Sequence, residues 1–193
     1  MTSLSDFIYR FQLQLPAQPT RSASNQRNAA VLLPIICKPE PSLLLTQRSQ
    51  NLRSHAGQIA FPGGAADPED NSLIATALRE AEEEVNIPQD KVHILGQLAP
   101  LDSSSGYRVT PVIGLICPSI SFRTNPTEVT KVFEIPLLEA LSLPHYRYLD
   151  IKRRDQHHRI YFYWHQGQMI WGLTATIIYR LAQQVQKNTL VCL

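Results

Sequence analysis

Between Ser72 and Val85 the apolar residues Ile74, Leu78, Ala81 and Val85 recur at steps of four, three and four. At about 100° per residue they fall within roughly 60° of one another. That period describes a helix with one stripe turned to a core. Asp70, Asn71 and Ser72 offer caps at its start, and Pro88 lies just beyond its end. A helix with a single apolar stripe needs another layer to cover it.

The flanking segments supply that layer. Asn28 to Cys37 is rich in Val, Leu and Ile and reads as a buried strand. After the turn at Lys38 to Ser42, Leu43 to Arg48 reads as a second strand of a hairpin. A loop runs from Ser49 to Asn71, with glycines at 57, 63 and 64. Further strands are expected at Val92–Leu98, Val109–Cys117 and Val129–Ile135, and a short helix near Leu137–Leu143. Tyr146–Arg153 and Arg159–His165 read as a hairpin with His157-His158 in its turn, and Leu173–Val185 as a closing helix. Leu4, Phe7, Ile8 and Phe11 give a short amphipathic helix, followed by a polar linker with two prolines. The fold class is therefore α/β, helices packed on a mixed sheet. Residues 1–27 form an N-terminal helix and linker, and 28–193 the main domain.

At 193 residues, with 44% hydrophobic and 18% charged side chains, the composition is that of a globular chain. A net charge of +2 gives no general pull toward nucleic acid or a membrane surface, so any polyanion must meet a local cluster. No apolar run approaches the roughly 20 residues of a spanning helix. Asp6 and Arg10 interrupt the N-terminal segment before a signal-peptide core forms. Cys37, Cys117 and Cys192 lie far apart without metal spacing and read as small buried residues in a reducing compartment, the cytoplasm. A homodimer is left open.

The chemistry gathers on the 72–85 helix. Glu80 and Glu84 lie about 40° apart on one flank of the stripe, with Glu83 about 60° beyond Glu80. Like charges this close repel, and hard divalent cations with oxygen ligands relieve them. A solvated acidic face is the plain alternative. The Phe61-Pro62-Gly63-Gly64 turn ahead of the helix favours a site, because glycines let backbone approach what the carboxylates hold.

Here the sequence resembles the Nudix hydrolases. Their box corresponds to Gly64, Asp70, and Arg79-Glu80-Ala81-Glu82-Glu83-Glu84-Val85-Asn86-Ile87. Three departures stand out: Asp70 replaces the first Glu, eight residues rather than seven precede Arg79, and Asn86 replaces a glycine. The extra residue leaves Asp67, Glu69 or Asp70 as the acid beside Arg79. Asn is an accepted substitute where a helix ends in left-handed conformation. A second motif, Leu44-Leu45-Thr46-Gln47-Arg48-Ser49, then Arg53, Gly57 and Phe61-Pro62-Gly63-Gly64, is similar to the coenzyme A diphosphatase branch.

The resemblance implies a single-domain α/β/α sandwich. It also implies hydrolysis of the diphosphate of coenzyme A or acyl-CoA to 3′,5′-ADP and 4′-phosphopantetheine or its acylated form. It implies Mg²⁺ or Mn²⁺ held by Glu80 and Glu84, with Glu83 and the Gly64 carbonyl adding to the set. Glu83 is one candidate for the general base and Glu128 another, unless Glu128 is only a solvated carboxylate at a strand end; Arg48, Arg53, Gly57, Phe61 and Gly63 would meet substrate. The Ser103–Arg108 loop either covers the pantetheine arm or merely joins two strands. Tyr161, Phe162, Tyr163, Trp164 and Trp171 are expected to be packing residues, with a stacking platform for adenine as the alternative. The alternatives are a Nudix hydrolase of another nucleoside diphosphate derivative, such as ADP-ribose, and a non-catalytic nucleotide-binding module of the same fold.

Overall fold

Ten consecutive residues of β1 (Arg27–Ile36) lie parallel to β7 (Tyr107–Ile116), from Arg27 opposite Tyr107 to Ile36 opposite Ile116. The computed structural model describes residues 3–13, 26–52, 54–153 and 156–186. Leu32, Leu33, Ile35, Val112 and Ile113 are fully buried, as strands covered on both faces must be. On the far side of β7 run β5 (Val92–Gln97) and β6 (Leu101–Asp102), both antiparallel to it.

The other side of β1 is a fork. Its C-terminal end pairs with β2 (Ser42–Arg48) only at Ile35–Leu43 and Ile36–Ser42. Its N-terminal end pairs instead with β4 (Gly63–Ala65), Ala29 to Val31 against Ala65 to Gly63. The open end of β2 takes β3 (Ile59–Ala60), and its outer edge takes β8 (Val129–Pro136). The described residues of the 49–65 segment thus form a wedge between two diverging strands, where the sequence suggested only a loop. Pro34 sits at the branch point. Leu32 donates its N–H to Pro62 O on the wedge side at 2.9 Å, and residue 34 faces the same way. A proline there removes a donor at the point where β1 changes partners.

The helix α2 (Leu73–Val85) covers one face of the sheet, with Ala77, Ala81 and Val85 fully buried. Ile74 and Leu78, expected in the buried stripe, are only half-buried; the small alanines make the close contact. The helix starts at Ser72, whose hydroxyl accepts from the Ala75 N–H, and ends at Asn86 with φ 59°. The opposite face holds α1 (Leu4–Gln12), through Phe7 and Phe11, and α4 (Leu173–Gln186). Together they make the α/β/α sandwich.

After α3 (Leu137–Ala140), β9 (Arg147–Arg153), β10 (Gln156–His165) and β11 (Gln168–Trp171) form a separate three-stranded antiparallel sheet. Its third strand was not expected, and His157 and His158 pair with Lys152 and Ile151 rather than forming a turn. Tyr163 packs inward against Tyr146, whereas Trp164 and Trp171 are exposed, contrary to their reading as packing residues. Cys117 is likewise exposed and Cys37 half-buried, so neither is the fully buried thiol expected; Cys192 and most of the linker lie outside the described residues. The Ser103–Tyr107 segment is a tight turn, closed by Ser103 N–H to Tyr107 O at 2.8 Å. No helix among the described residues is long and apolar enough to cross a membrane.

Candidate active site

The wedge presents Gly63 and Gly64 to the middle of α2. At Gly63, φ is +155° and an added Cβ would stand 2.3 Å from Ala30 O, so only glycine fits between β4 and β1. At Gly64 an added Cβ would meet the Glu80 carboxylate at 2.5 Å. The Gly63 N–H donates to Glu84 Oε2 at 3.2 Å. The glycine pair thus lets two carboxylates lie directly against backbone.

Glu84 does not belong to a solvated acidic face. Its side chain is only 3% exposed, and its nearest cation is Arg48, with Nη1 3.7 Å from Oε1. Burial pushes the Glu84 carboxyl up to about 8, only partly offset by Arg48 and the Gly63 N–H and reinforced by the charges of Glu80 and Glu128. Glu80 is raised too, first by burial and then by Glu83 and Glu128, against the pull of Arg79.

Arg79 organises the outer side of the cluster. Its Nε and Nη2 donate to the two oxygens of Asp70 at 3.1 and 3.0 Å, a planar fork onto a carboxylate. Its Nη1 reaches Glu80 at 3.0 Å and Glu83 at 3.1 Å, and its Nη2 also reaches Ala65 O. The Asp70 carboxyl is held well below the usual range, chiefly by Arg79. Asp70 also accepts from the Thr76 hydroxyl at 2.8 Å, whereas Asp67 lies 3.5 Å from Arg79 and is largely exposed. Of the three acids the sequence left open, Asp70 is the partner of Arg79. Thr76 escaped notice because a threonine within a helix carries no signal of its own.

The remaining residues divide clearly. Arg48 is aimed by a bulge between Gln47 and Arg48 in β2, and its Nε is buried with no hydrogen-bond partner among the described residues. Glu128 sits at the start of β8, half-buried; its carbonyl accepts from the Ser49 N–H and Asn125 Nδ2 approaches its carboxylate at 3.5 Å. Asn125 also donates its backbone N–H to Glu84 O at 2.9 Å, tying that segment to α2. Glu83 is 57% exposed and its carboxylate is taken by Arg79. The Phe61 ring lies in the core, so it anchors the wedge rather than reaching outward. Gly57 has φ +68° and backs onto Gln50, a turn position within the wedge. Arg53 lies outside the described residues.

A forked mixed sheet thus carries a glutamate-bearing helix with a Gly-Gly turn set against its carboxylates. The NUDIX domain family matches residues 26–145, and the chain belongs to the Nudix hydrolase family. It is accordingly an enzyme that hydrolyses a diphosphate substrate. The uncharacterized Nudix hydrolase NudL of Photorhabdus laumondii is 70% identical over 186 residues, covering 96% of this chain and all of that protein. NudL of Yersinia enterocolitica is 63% identical over 183 residues, covering 95% and 93% of the two chains. Among solved structures, a Caenorhabditis elegans Ap4A hydrolase in a binary complex matches with a TM-score of 0.50 at 21% identity, over 58% of this chain and 83% of that one. The Mycobacterium smegmatis Nudix hydrolase RenU matches with 0.50 at 20% identity, over 59% and 73%. These two likenesses show the fold.

Proposed function

We propose that the chain hydrolyses the diphosphate of coenzyme A or its thioesters, releasing 3′,5′-ADP and 4′-phosphopantetheine or its acylated form. The reading is supported by one juxtaposition. The Leu44 to Gly64 motif that resembles coenzyme A diphosphatases forms β2 and the wedge, and Arg48 from that motif stands 3.7 Å from Glu84 of the glutamate helix.

The donor set suits a hard divalent cation, because all of it is oxygen. Among the described residues no three acidic, histidine or cysteine side chains converge as a ready cage. Mg²⁺ does not require one: it takes one or two carboxylates and completes its shell with water and substrate phosphate. Glu80 and Glu84 would hold Mg²⁺ or Mn²⁺, with the Gly64 carbonyl beside them and Glu83 on the outer side. The bound ion supplies charge neutralisation on the diphosphate and a water of lowered pKa.

The residues of the chain do the rest. The Arg48 guanidinium, partly exposed and 3.7 Å from Glu84, would meet a phosphate oxygen as a planar donor. Gly63 and Gly64 keep the wedge backbone close enough for the diphosphate to lie against α2. Arg79, locked by Asp70, holds Glu80 and Glu83 in place. Glu128 accepts the proton of the attacking water. It is half-buried, its charge reaches both Glu80 and Glu84, and no arginine occupies it among the contacts described, unlike Glu83.

Incubation with coenzyme A, ADP-ribose and a dinucleoside polyphosphate in Mg²⁺ or Mn²⁺, followed by chromatography of the products, tests the proposal. 3′,5′-ADP from coenzyme A at the highest kcat/KM is the expected result. Preferred cleavage of either other substrate would overturn it.

A further inference from the structure

The outward face of the β9–β10–β11 sheet is a second surface, apart from the glutamate helix. Register decides which side chains share it. Trp171, Phe162 and Arg147 lie opposite one another across three strands, Met169 lies opposite Trp164, and Leu149 opposite Ile160. The alternate residues, Tyr161 and Tyr163, turn inward to the core. Trp164 is 51% exposed and Trp171 38%, and Leu149 and Met169 are exposed beside them. A tryptophan offers about 250 Å², so these side chains leave an apolar patch on the order of 400 Å², the size of the largest patch a typical monomer exposes, which is often functional.

The one formal charge named on this face is positive. Arg147 lies in the row of Trp171, its Nη1 donating to Pro144 O and Tyr146 O at 2.9 and 3.1 Å, and the polar His158 lies further along β10 opposite Ile151. Asp150, which pairs with Arg159, is on the other side of the sheet. Among the described residues no acidic side chain shares the outward face. Two copies packed face to face would bring arginine to a surface with no carboxylate to meet it. Aromatic side chains beside an arginine on a flat face suit the boundary of a bilayer, where tryptophan rings sit at headgroup level and anionic lipids attract arginine.

We propose that this face docks the protein peripherally on an anionic lipid surface. The net charge of +2 gives no general attraction to membranes; this face supplies a local one. The proposal does not depend on which diphosphate the enzyme cleaves.

The chain has two tryptophans, and both are on this face, so intrinsic fluorescence reports it directly. Full-length protein is mixed with vesicles of phosphatidylcholine alone, or of phosphatidylcholine with an equal part of phosphatidylglycerol. The expected result is a blue-shifted emission, quenched by brominated acyl chains, with the anionic vesicles and much less with the neutral ones. Added salt reverses it. Trp164→Asp and Arg147→Glu, each with an unchanged thermal melt, each lower the partition coefficient roughly tenfold. No shift with anionic vesicles overturns the proposal. So does a blue shift that grows with protein concentration in the absence of vesicles and accompanies a dimer in light scattering, because a second copy would then occupy the face.

Discussion

The backbone N–H of Gly63 donates to the Glu84 carboxyl at 3.2 Å, joining two residues 21 apart in sequence and bringing the wedge of one sheet edge against the middle of a helix. Glu84 is nearly inaccessible and Gly63 admits no side chain. The contact therefore holds a carboxyl group out of water, where burial favours its protonated form.

Glu84→Gln keeps the shape and the Gly63 bond but removes the group that a cation can deprotonate and bind. Turnover is expected to fall about a thousandfold, in line with the several kcal/mol a metal contributes to the transition state. The fold persists, because a neutral amide is easier to bury than a carboxylate. Steady-state kinetics with a parallel thermal melt checks both statements; near-normal kcat would remove Glu84 from the ligand set.

The same residue sets a pH dependence. Its carboxyl stands near 4.5 in an unfolded chain and about 8 in the folded one. The folded state binds the proton more tightly, so this contribution to stability is complete below the unfolded value and is lost as pH rises through about 8. In chelator, the melting temperature is expected to decline across that window, and the decline should be shallower in Glu84→Gln. Mg²⁺ or Mn²⁺ must displace this proton, so calorimetric affinity should rise over the same range. Metal affinity independent of pH would contradict the assignment.

Asp70 runs the other way. Arg79 holds its carboxyl far below the ordinary 3.8, so its contribution is present above that value and lost as acid protonates it. Asp70→Asn should cost about 2 kcal/mol, the scale of a hydrogen bond to a charged group. Urea titration at neutral pH measures this. The loss should shrink in acid, where the wild-type residue is itself being neutralised.

Gly64→Ala and Gly63→Ala separate function from folding. The first methyl meets the end of the flexible Glu80 side chain, which can swing away. Activity should therefore drop at least tenfold, with the melting temperature nearly unchanged. The second methyl meets Ala30 backbone at a positive φ, and the protein should lose stability outright. Equal melting temperatures for the two variants would contradict this account of the wedge.

The sequence made the helix, its caps and most strands legible, because period and turn chemistry are local. Ser72 and Asn86 cap α2 as their residue types suggest. The fork was not legible: β3 and β4 are two and three residues long, too short to show a period, and they exist only because β1 and β2 diverge. Helical projection set Glu84 beside Glu80 but could not show that Arg48 and Gly63 close over it. The third strand of the second sheet escaped because Gln-Met-Ile-Trp alternates only weakly.

The branch at Pro34 has an evolutionary corollary. The glycines that bring backbone up to the glutamates are carried on an insert fastened by two abbreviated ladders, whereas Arg48 and the glutamates belong to the scaffold behind it. Such a layout leaves the stretch ahead of Ile59 open to being rewritten so long as Phe61 and Gly63 stay, and the glutamate helix keeps its seat.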